Sequence, residues 1–105
     1  MTGRHDASDD WRSAETRALF HAVLSLSTVD EAARFFRDLC TRHELDELAA
    51  RWTVVRLLNQ GHSYRRIHEL SGVSTATITR INDWLRDGTG GYVETLERLG
   101  LWEAP

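Results

Sequence analysis

Arginines and short polar side chains recur at helical spacing between residues 63 and 83. The guanidinium of Arg80 can give two parallel hydrogen bonds to guanine O6 and N7, or it can bind a phosphate. Thr75 and Thr79 can bond phosphate oxygens or contact thymine methyl groups, whereas Ala76 can only pack. These residue types favour contact with double-stranded DNA. The candidate DNA-binding residues are Arg65, Arg66, Ser74, Thr75, Ala76, Thr79, Arg80 and Asp83.

Two helices over about residues 63–87 are predicted to position these side chains. Ser63 can cap a first helix that runs to about Ser71, and Ser74 can cap a second. Gly72 stands between them, where a sharp turn needs a positive φ. This register is typical of a helix-turn-helix, whose second helix lies in the major groove. The residues expected to form the core between the two helices are Ile67, Leu70, Val73, Ile78, Ile81 and Leu85.

Histidines near this segment, at 43, 62 and 68, raise the question of a metal site. Zinc ligands on helices prefer spacings of three or four, and no cysteine or close carboxylate completes a tetrahedral set here. We therefore expect solvated or capping histidines and no metal. His68 also stands where a helix-turn-helix usually has a small residue, which predicts looser packing between its helices.

The chain as a whole predicts an all-α fold. Its one proline is the last residue, and few glycines interrupt the apolar spacing of the first half. Residues 1–9 are expected to form a disordered tail. Residues 10–102 are expected to form a single helical domain.

Three helices are predicted ahead of the helix-turn-helix. The first runs from Trp11 to about Leu26, with Asp10 as its cap. The capping boxes Thr28–Glu31 and Thr41–Glu44 open the second and the third helix. The third helix is apolar over more than one face, which is wider than the single stripe of a surface helix. Because so short a chain has few layers to cover that surface, we predict a homodimer.

Composition restricts the class of protein further. The 105 residues include 13 arginines, no lysine and 16 acidic residues, for a net charge of −3, yet residues 42–86 carry a local balance of +2. No apolar run approaches the ~18–20 residues that span a bilayer. The polar, acidic N-terminus lacks the apolar segment of a secretory signal. With one cysteine, Cys40, and hence no internal disulfide, the chain is expected to be cytoplasmic, with no membrane partner.

The segment Ser-Thr-Ala-Thr-Ile-Thr-Arg at 74–80 resembles the recognition-helix signature of the Trp-repressor superfamily. Three further stretches, at 25–31, 34–41 and 90–99, are similar to its YerC/YecD-type branch. The resemblance covers about residues 15–100. It implies a six-helix Trp-repressor-like fold, an intertwined homodimer and a DNA-binding transcriptional regulator. That regulator would be a repressor of amino-acid biosynthesis or metabolism genes, with a palindromic operator.

The resemblance also implies a candidate effector pocket. Arg51 and Arg80 match the two arginines that flank the bound tryptophan in the Trp repressor, and Thr41 matches a third pocket position. Ile81 and Trp84 stand where that repressor has small residues, and these side chains are expected to fill the space of the indole. Tryptophan is therefore not expected as the effector. The sequence leaves open whether another amino acid is needed, and it predicts no cofactor.

Two other classes of function stand beside DNA binding. An enzyme is not expected, because the chain has no glycine-rich phosphate loop, no HExxH motif and no partner set that would make Cys40 a nucleophile. The alternative is a protein-interaction module of the same fold that does not bind DNA. The net acidic charge and the absence of lysine favour that alternative.

Overall fold

The structure, a computed structural model, describes residues 11–104, which form six α-helices and no strand. The prediction of an all-α fold is confirmed. The predicted tail over 1–9 and the predicted cap Asp10 lie outside the described residues. The helices are α1 Ala14–Leu24, α2 Val29–Leu39, α3 Arg42–Asn59, α4 Tyr64–Ser71, α5 Thr75–Asp87 and α6 Gly91–Arg98.

These helices divide into two compact units that meet in the chain between Thr41 and Arg42. The first unit holds α1 and α2, and the second holds the other four helices. The expectation of a single domain over 10–102 stays a prediction. Within residues 11–104, no helix is both long enough and apolar enough to cross a membrane.

Helix α1 begins at Ala14, three residues later than predicted. Ser13 is its N-cap, because the Ser13 hydroxyl accepts a hydrogen bond from the Thr16 amide at 3.3 Å. The Thr16 hydroxyl in turn donates to the Trp11 carbonyl at 2.6 Å. These bonds satisfy the first free backbone groups of the helix locally, so the helix does not extend back to Trp11.

Helix α2 begins as its sequence predicts, after the N-cap Thr28. The Thr28 hydroxyl accepts from the Glu31 amide at 3.1 Å. The Glu31 carboxylate accepts from the amide of Ser27 at 2.7 Å, one residue before the position that a capping box uses. The predicted Thr28 cap is therefore confirmed, whereas Glu31 accepts from the Ser27 amide and not from the Thr28 amide that the prediction names.

The first unit has no buried side chain in either helix. Leu24 is 80% exposed and Val29 is 88% exposed, and Trp11 and Phe20 are also exposed. Burial of apolar surface is the dominant favourable term in folding. Within this chain, the unit therefore lacks the core that would stabilise it.

The second unit is built around six fully buried side chains that come from all four of its helices. Helix α3 contacts both α4 and α5, α4 contacts α5, and α5 contacts α6. The predicted core residues Ile67, Ile78 and Ile81 are confirmed, and Val73 and Leu85 pack against them. Leu70, in contrast, is half-exposed, and its predicted core position is wrong. The buried residues are Val54, Val55, Ile67, Ile78, Ile81 and Leu96.

The segment after α6 is fastened to the end of α3 by one side chain. The Asn59 carboxamide donates to the Leu101 carbonyl at 2.7 Å and accepts from the Glu103 amide at 3.2 Å. Between these two bonds, Trp102 packs against the core. Asn59 thus joins residues more than forty positions apart in sequence and holds an aromatic ring in place.

Replacing Asn59 with alanine is expected to lower the free energy of unfolding by about 1–2 kcal/mol, because two hydrogen bonds are lost and Trp102 is released. Urea unfolding at one fixed protein concentration measures the change. Gln60→Ala, at the exposed neighbouring position, is the control and should leave the midpoint nearly unchanged. Equal midpoints for all three proteins would contradict a stabilising role for Asn59.

Candidate nucleic-acid interface

Helices α4 and α5 are joined by Gly72, Val73 and Ser74, as the sequence predicts. The hydroxyl of Ser63 caps α4 by accepting from the Arg66 amide at 3.1 Å. The hydroxyl of Ser74 caps α5 by accepting from the Thr77 amide at 3.2 Å. Gly72 has φ 74°, the left-handed conformation that ends α4 and that other residues reach only at a cost. The turn therefore has the predicted caps and the predicted glycine.

Two side chains of α4 tie this turn together. The Ser71 hydroxyl donates to the Ile67 carbonyl at 2.6 Å and accepts from the Val73 amide at 3.1 Å. His68 Nδ1 lies 2.7 Å from the Val73 carbonyl oxygen, and it must donate because a carbonyl only accepts. The His68 ring is exposed, and Ile67 and Ile78 from the two helices lie in the buried core. The looser packing expected at His68 stays a prediction.

The outward face of α5 is the surface that the sequence predicts for DNA contact. Ile78 and Ile81 face the core, and the opposite side of the helix is exposed. All eight candidate DNA-binding residues are exposed, three of them at the cap and the first turn of α5. Their contact with DNA stays a prediction. These residues are Arg65, Arg66, Ser74, Thr75, Ala76, Thr79, Arg80 and Asp83.

A hydrogen-bonded network orients Arg80 on this face. Arg80 Nη2 donates to the Thr77 hydroxyl at 3.1 Å, and that hydroxyl also lies 3.1 Å from the Ser74 hydroxyl. The guanidinium is thus linked to the N-cap of its own helix. The sequence analysis missed Thr77, although its position three residues before Arg80 and three after Ser74 could have identified it.

Thr79 is partly engaged in its own helix, because its hydroxyl donates to the Thr75 carbonyl at 2.9 Å. Its oxygen lone pairs and its methyl group remain on the exposed side. Thr79 can therefore accept a hydrogen bond or contact a thymine methyl group, but it has no further proton to donate to a phosphate.

Arg65 and Arg66, in the first turn of α4, both pair with Glu69. Arg65 Nε lies 3.6 Å from one carboxylate oxygen, and Arg66 Nη1 lies 3.6 Å from the other. Glu69 was not among the candidate residues. Its spacing of four and three residues from the arginines is the signal that could have found it.

A cleft of about 430 Å³ lies between α3 and the turn that joins α4 to α5. Arg51 lines it, as the effector-pocket prediction requires, but Arg80 reaches it only through Thr77. Thr41 belongs to the first unit. The residues that line the cleft are His43, Asp46, Glu47, Ala50, Arg51, Ser71, Gly72, Val73, Ser74 and Thr77.

The two side chains that are expected to fill the space of an indole lie elsewhere. Ile81 is fully buried in the core and Trp84 is 48% exposed, and neither lines the cleft. Their effect on an indole stays a prediction. Metal binding has no support in the cleft, since no group of three or more His, Cys, Asp or Glu residues within 11–104 could hold an ion.

Comparison with known proteins connects this architecture to one family. The family described as Trp repressor protein matches residues 14–100. YerC of Bacillus subtilis (strain 168), described as uncharacterized, is 42% identical over 91 residues, which make up 87% of this chain and 88% of YerC. These matches cover the span over which the sequence resembles the Trp-repressor superfamily.

Two crystal structures are similar to this fold, each with a TM-score of 0.81. A TrpR-like protein from Eubacterium eligens ATCC 27750 is 42% identical, and the match covers 89% of this chain and 96% of that one. A candidate Trp repressor from Staphylococcus aureus is 38% identical, with 89% of this chain and 93% of that one covered.

Gly72→Ala is expected to lower the free energy of unfolding by about 1 kcal/mol. No heavy atom lies within 4 Å of a Cβ added there, so the loss comes from the left-handed backbone alone. Gly91→Ala is the matched control, since its Cβ would meet only the Thr89 hydroxyl, at 3.8 Å. Thermal or urea unfolding of both variants measures the difference, and a Gly72→Ala protein as stable as Gly91→Ala would contradict the role of φ.

Proposed function

The chain belongs to the Trp repressor protein family, and on that premise we propose that it is a sequence-specific, DNA-binding transcriptional regulator. The observation that carries the proposal is the exposure of all eight candidate residues on α4 and α5, opposite the side chains that hold these helices together. The proposed protein is a cytoplasmic repressor with no catalytic activity. Genes of amino-acid biosynthesis or metabolism are its proposed targets.

In this proposal, α5 enters the major groove with its N-terminal turn foremost. Ser74, Thr75 and Ala76 then lie nearest the base edges, and the free amides of that turn favour phosphate oxygens. Arg80 can read guanine through two hydrogen bonds. Asp83, further along the same face, can accept from the exocyclic amine of cytosine. Base recognition is therefore assigned to α5.

Backbone contacts are assigned to α4. Arg65 is 90% exposed and Arg66 stands beside it in the first helical turn. Contacts of this kind fix the register of a protein on the duplex but carry no sequence information. They also release counterions, so the affinity falls as salt rises.

The exposed apolar side chains of the first unit are the reason for proposing a homodimer. Helices α1 and α2 present exposed apolar side chains and bury none, so a second copy of the chain would supply the missing core. A two-fold dimer carries two copies of α5. Its operator is then a palindrome whose half-sites lie about 34 Å apart, one turn of the duplex.

The cleft beside the turn is the proposed site for an amino-acid effector. Arg51 can bind a carboxylate there, and Asp46 and Glu47 can bind an ammonium group. Seven of the ten lining residues have charged or polar side chains, which suit the amino and carboxyl groups that amino acids share. Tryptophan is not the proposed effector, because Ile81 and Trp84 stand where the Trp repressor has small residues.

Selection of genomic fragments with the purified protein tests the proposal, followed by a band-shift on the best fragment at two salt concentrations. We expect a palindromic site that is bound tightly and more weakly at the higher salt. A selection that enriches nothing is repeated with an amino-acid mixture. Continued absence of binding at low salt would overturn the proposal in favour of the protein-interaction module.

Arg80→Ala is expected to weaken operator binding by about 1–3 kcal/mol per half-site and to relax the preference at one base pair. Titration against the operator and against a set of single-base variants measures both effects. An equal loss on every sequence would contradict base reading and assign Arg80 to a phosphate. Arg65→Ala is the comparison variant, because it should lower the affinity evenly and flatten the salt dependence.

Thr77→Val tests the network around Arg80 in the same assay. The variant keeps the shape of the side chain and removes the hydroxyl that accepts from Arg80. We expect about threefold to tenfold weaker operator binding, with no further loss when it is combined with Arg80→Ala. Additive losses in that double-mutant cycle would show that the hydroxyl acts independently of Arg80.

The dimer makes a separate prediction about stability. Because the proposed interface supplies the core of α1 and α2, the unfolding midpoint should rise with protein concentration. Leu24→Asn should lower the dimer fraction in sedimentation equilibrium, and His21→Asn, one turn earlier and also exposed, should not. A monomer with a concentration-independent midpoint would contradict the proposed dimer.

A further inference from the structure

One carboxylate stands between the two arginines that are assigned to the DNA backbone. The oxygens of Glu69 face different guanidiniums, each at 3.6 Å, from Arg65 on one side and from Arg66 on the other. Glu69 is 49% exposed, so this group of three charges lies at the protein surface. Its net charge is +1, although two cations are present.

The two ion pairs of Glu69 do not include a hydrogen bond. Both distances exceed hydrogen-bond range, so the N–H groups of the two arginines remain available to another acceptor. Glu69 also lies in the last turn of α4, where a negative charge opposes the helix dipole. Helix stability is a weak reason for a carboxylate at this position, because the arginines precede the glutamate, which is the less stabilising order for pairs at this spacing.

A carboxylate that shares two guanidiniums resembles, in charge and in oxygen geometry, the phosphate that the same arginines would bind on DNA. We propose that Glu69 is an internal competitor of the DNA backbone for Arg65 and Arg66. This inference rests on the proposed function. DNA binding then brings a phosphate to arginines that Glu69 already faces, so the phosphate shares their positive charge with the carboxylate and is repelled by it.

This competition changes the shares that phosphate contacts and base contacts contribute to the binding free energy. Phosphate contacts are independent of sequence, so a carboxylate that weakens them lowers binding to every duplex. The contacts of α5 to base edges are unaffected, so they make up a larger share of the remaining binding free energy. Glu69 thus keeps the protein off DNA that lacks the operator, in line with the net charge of −3.

Glu69→Gln tests the inference, because it preserves the shape of the side chain and removes its charge. Binding of a non-operator duplex is measured by fluorescence anisotropy at several salt concentrations. We expect about threefold to tenfold tighter binding by the variant and a steeper fall of affinity with salt. Glu94→Gln is the matched control: it makes the same change of charge beside Arg98 of α6, and its affinity should stay close to that of the wild type.

Each other outcome overturns the inference in a recognisable way. Weaker binding by Glu69→Gln would mean that the carboxylate positions the arginines, and equal gains for both variants would mean that only net charge matters. If the wild type binds no duplex, the proposed function fails, and elution from heparin–agarose tests the competition alone. Glu69→Gln should then elute at higher salt than the wild type and Glu94→Gln, and co-elution overturns the inference.

Discussion

The packing of Ile67, Ile78 and Ile81 with Val54 and Val55 is the interaction on which the described site depends. These residues make up most of the six fully buried side chains within residues 11–104. Each of these isoleucines fixes the rotation of its helix about its own axis. The buried isoleucines therefore determine which faces of α4 and α5 are exposed. The orientation of a site on these faces depends on how well this small core is packed.

The polar groups at the turn, together with the core, fix the orientation of α4 and α5. Ser63 and Ser74 fix where the two helices start, and Ser71 and His68 bond the backbone between them. These bonds satisfy amides and carbonyls that would otherwise be left open at a sharp turn. Side-chain hydrogen bonds thus define the ends of the two helices at the turn. Gly72 supplies the positive φ that a residue with a Cβ reaches only at a cost.

The sequence predicted this part of the fold well because its determinants are local. Caps, a turn glycine and apolar spacing act within a few residues, so the amino-acid order alone was enough to assign Gly72, Ser74 and Ile78. The start of α1 was placed too early, because Ser13 is the N-cap of a helix that begins at Ala14. Leu70 was misjudged for a different reason: the direction of a side chain depends on neighbours that sequence spacing does not name. Thr77 and Glu69 were missed because each acts through a nearby arginine.

The arginine content of the chain has a consequence for how its surface charge is controlled. All 13 strongly basic side chains are guanidiniums, which stay protonated at any physiological pH. Lysine acetylation, a common means of removing positive charge from DNA-binding proteins, has no side-chain amine to act on in this sequence. The positive charge of the arginines on α4 and α5 is thus constant across changes in cellular acidity and acetyl-donor supply. Any variation in the effective charge of these arginines must come from anions that approach them.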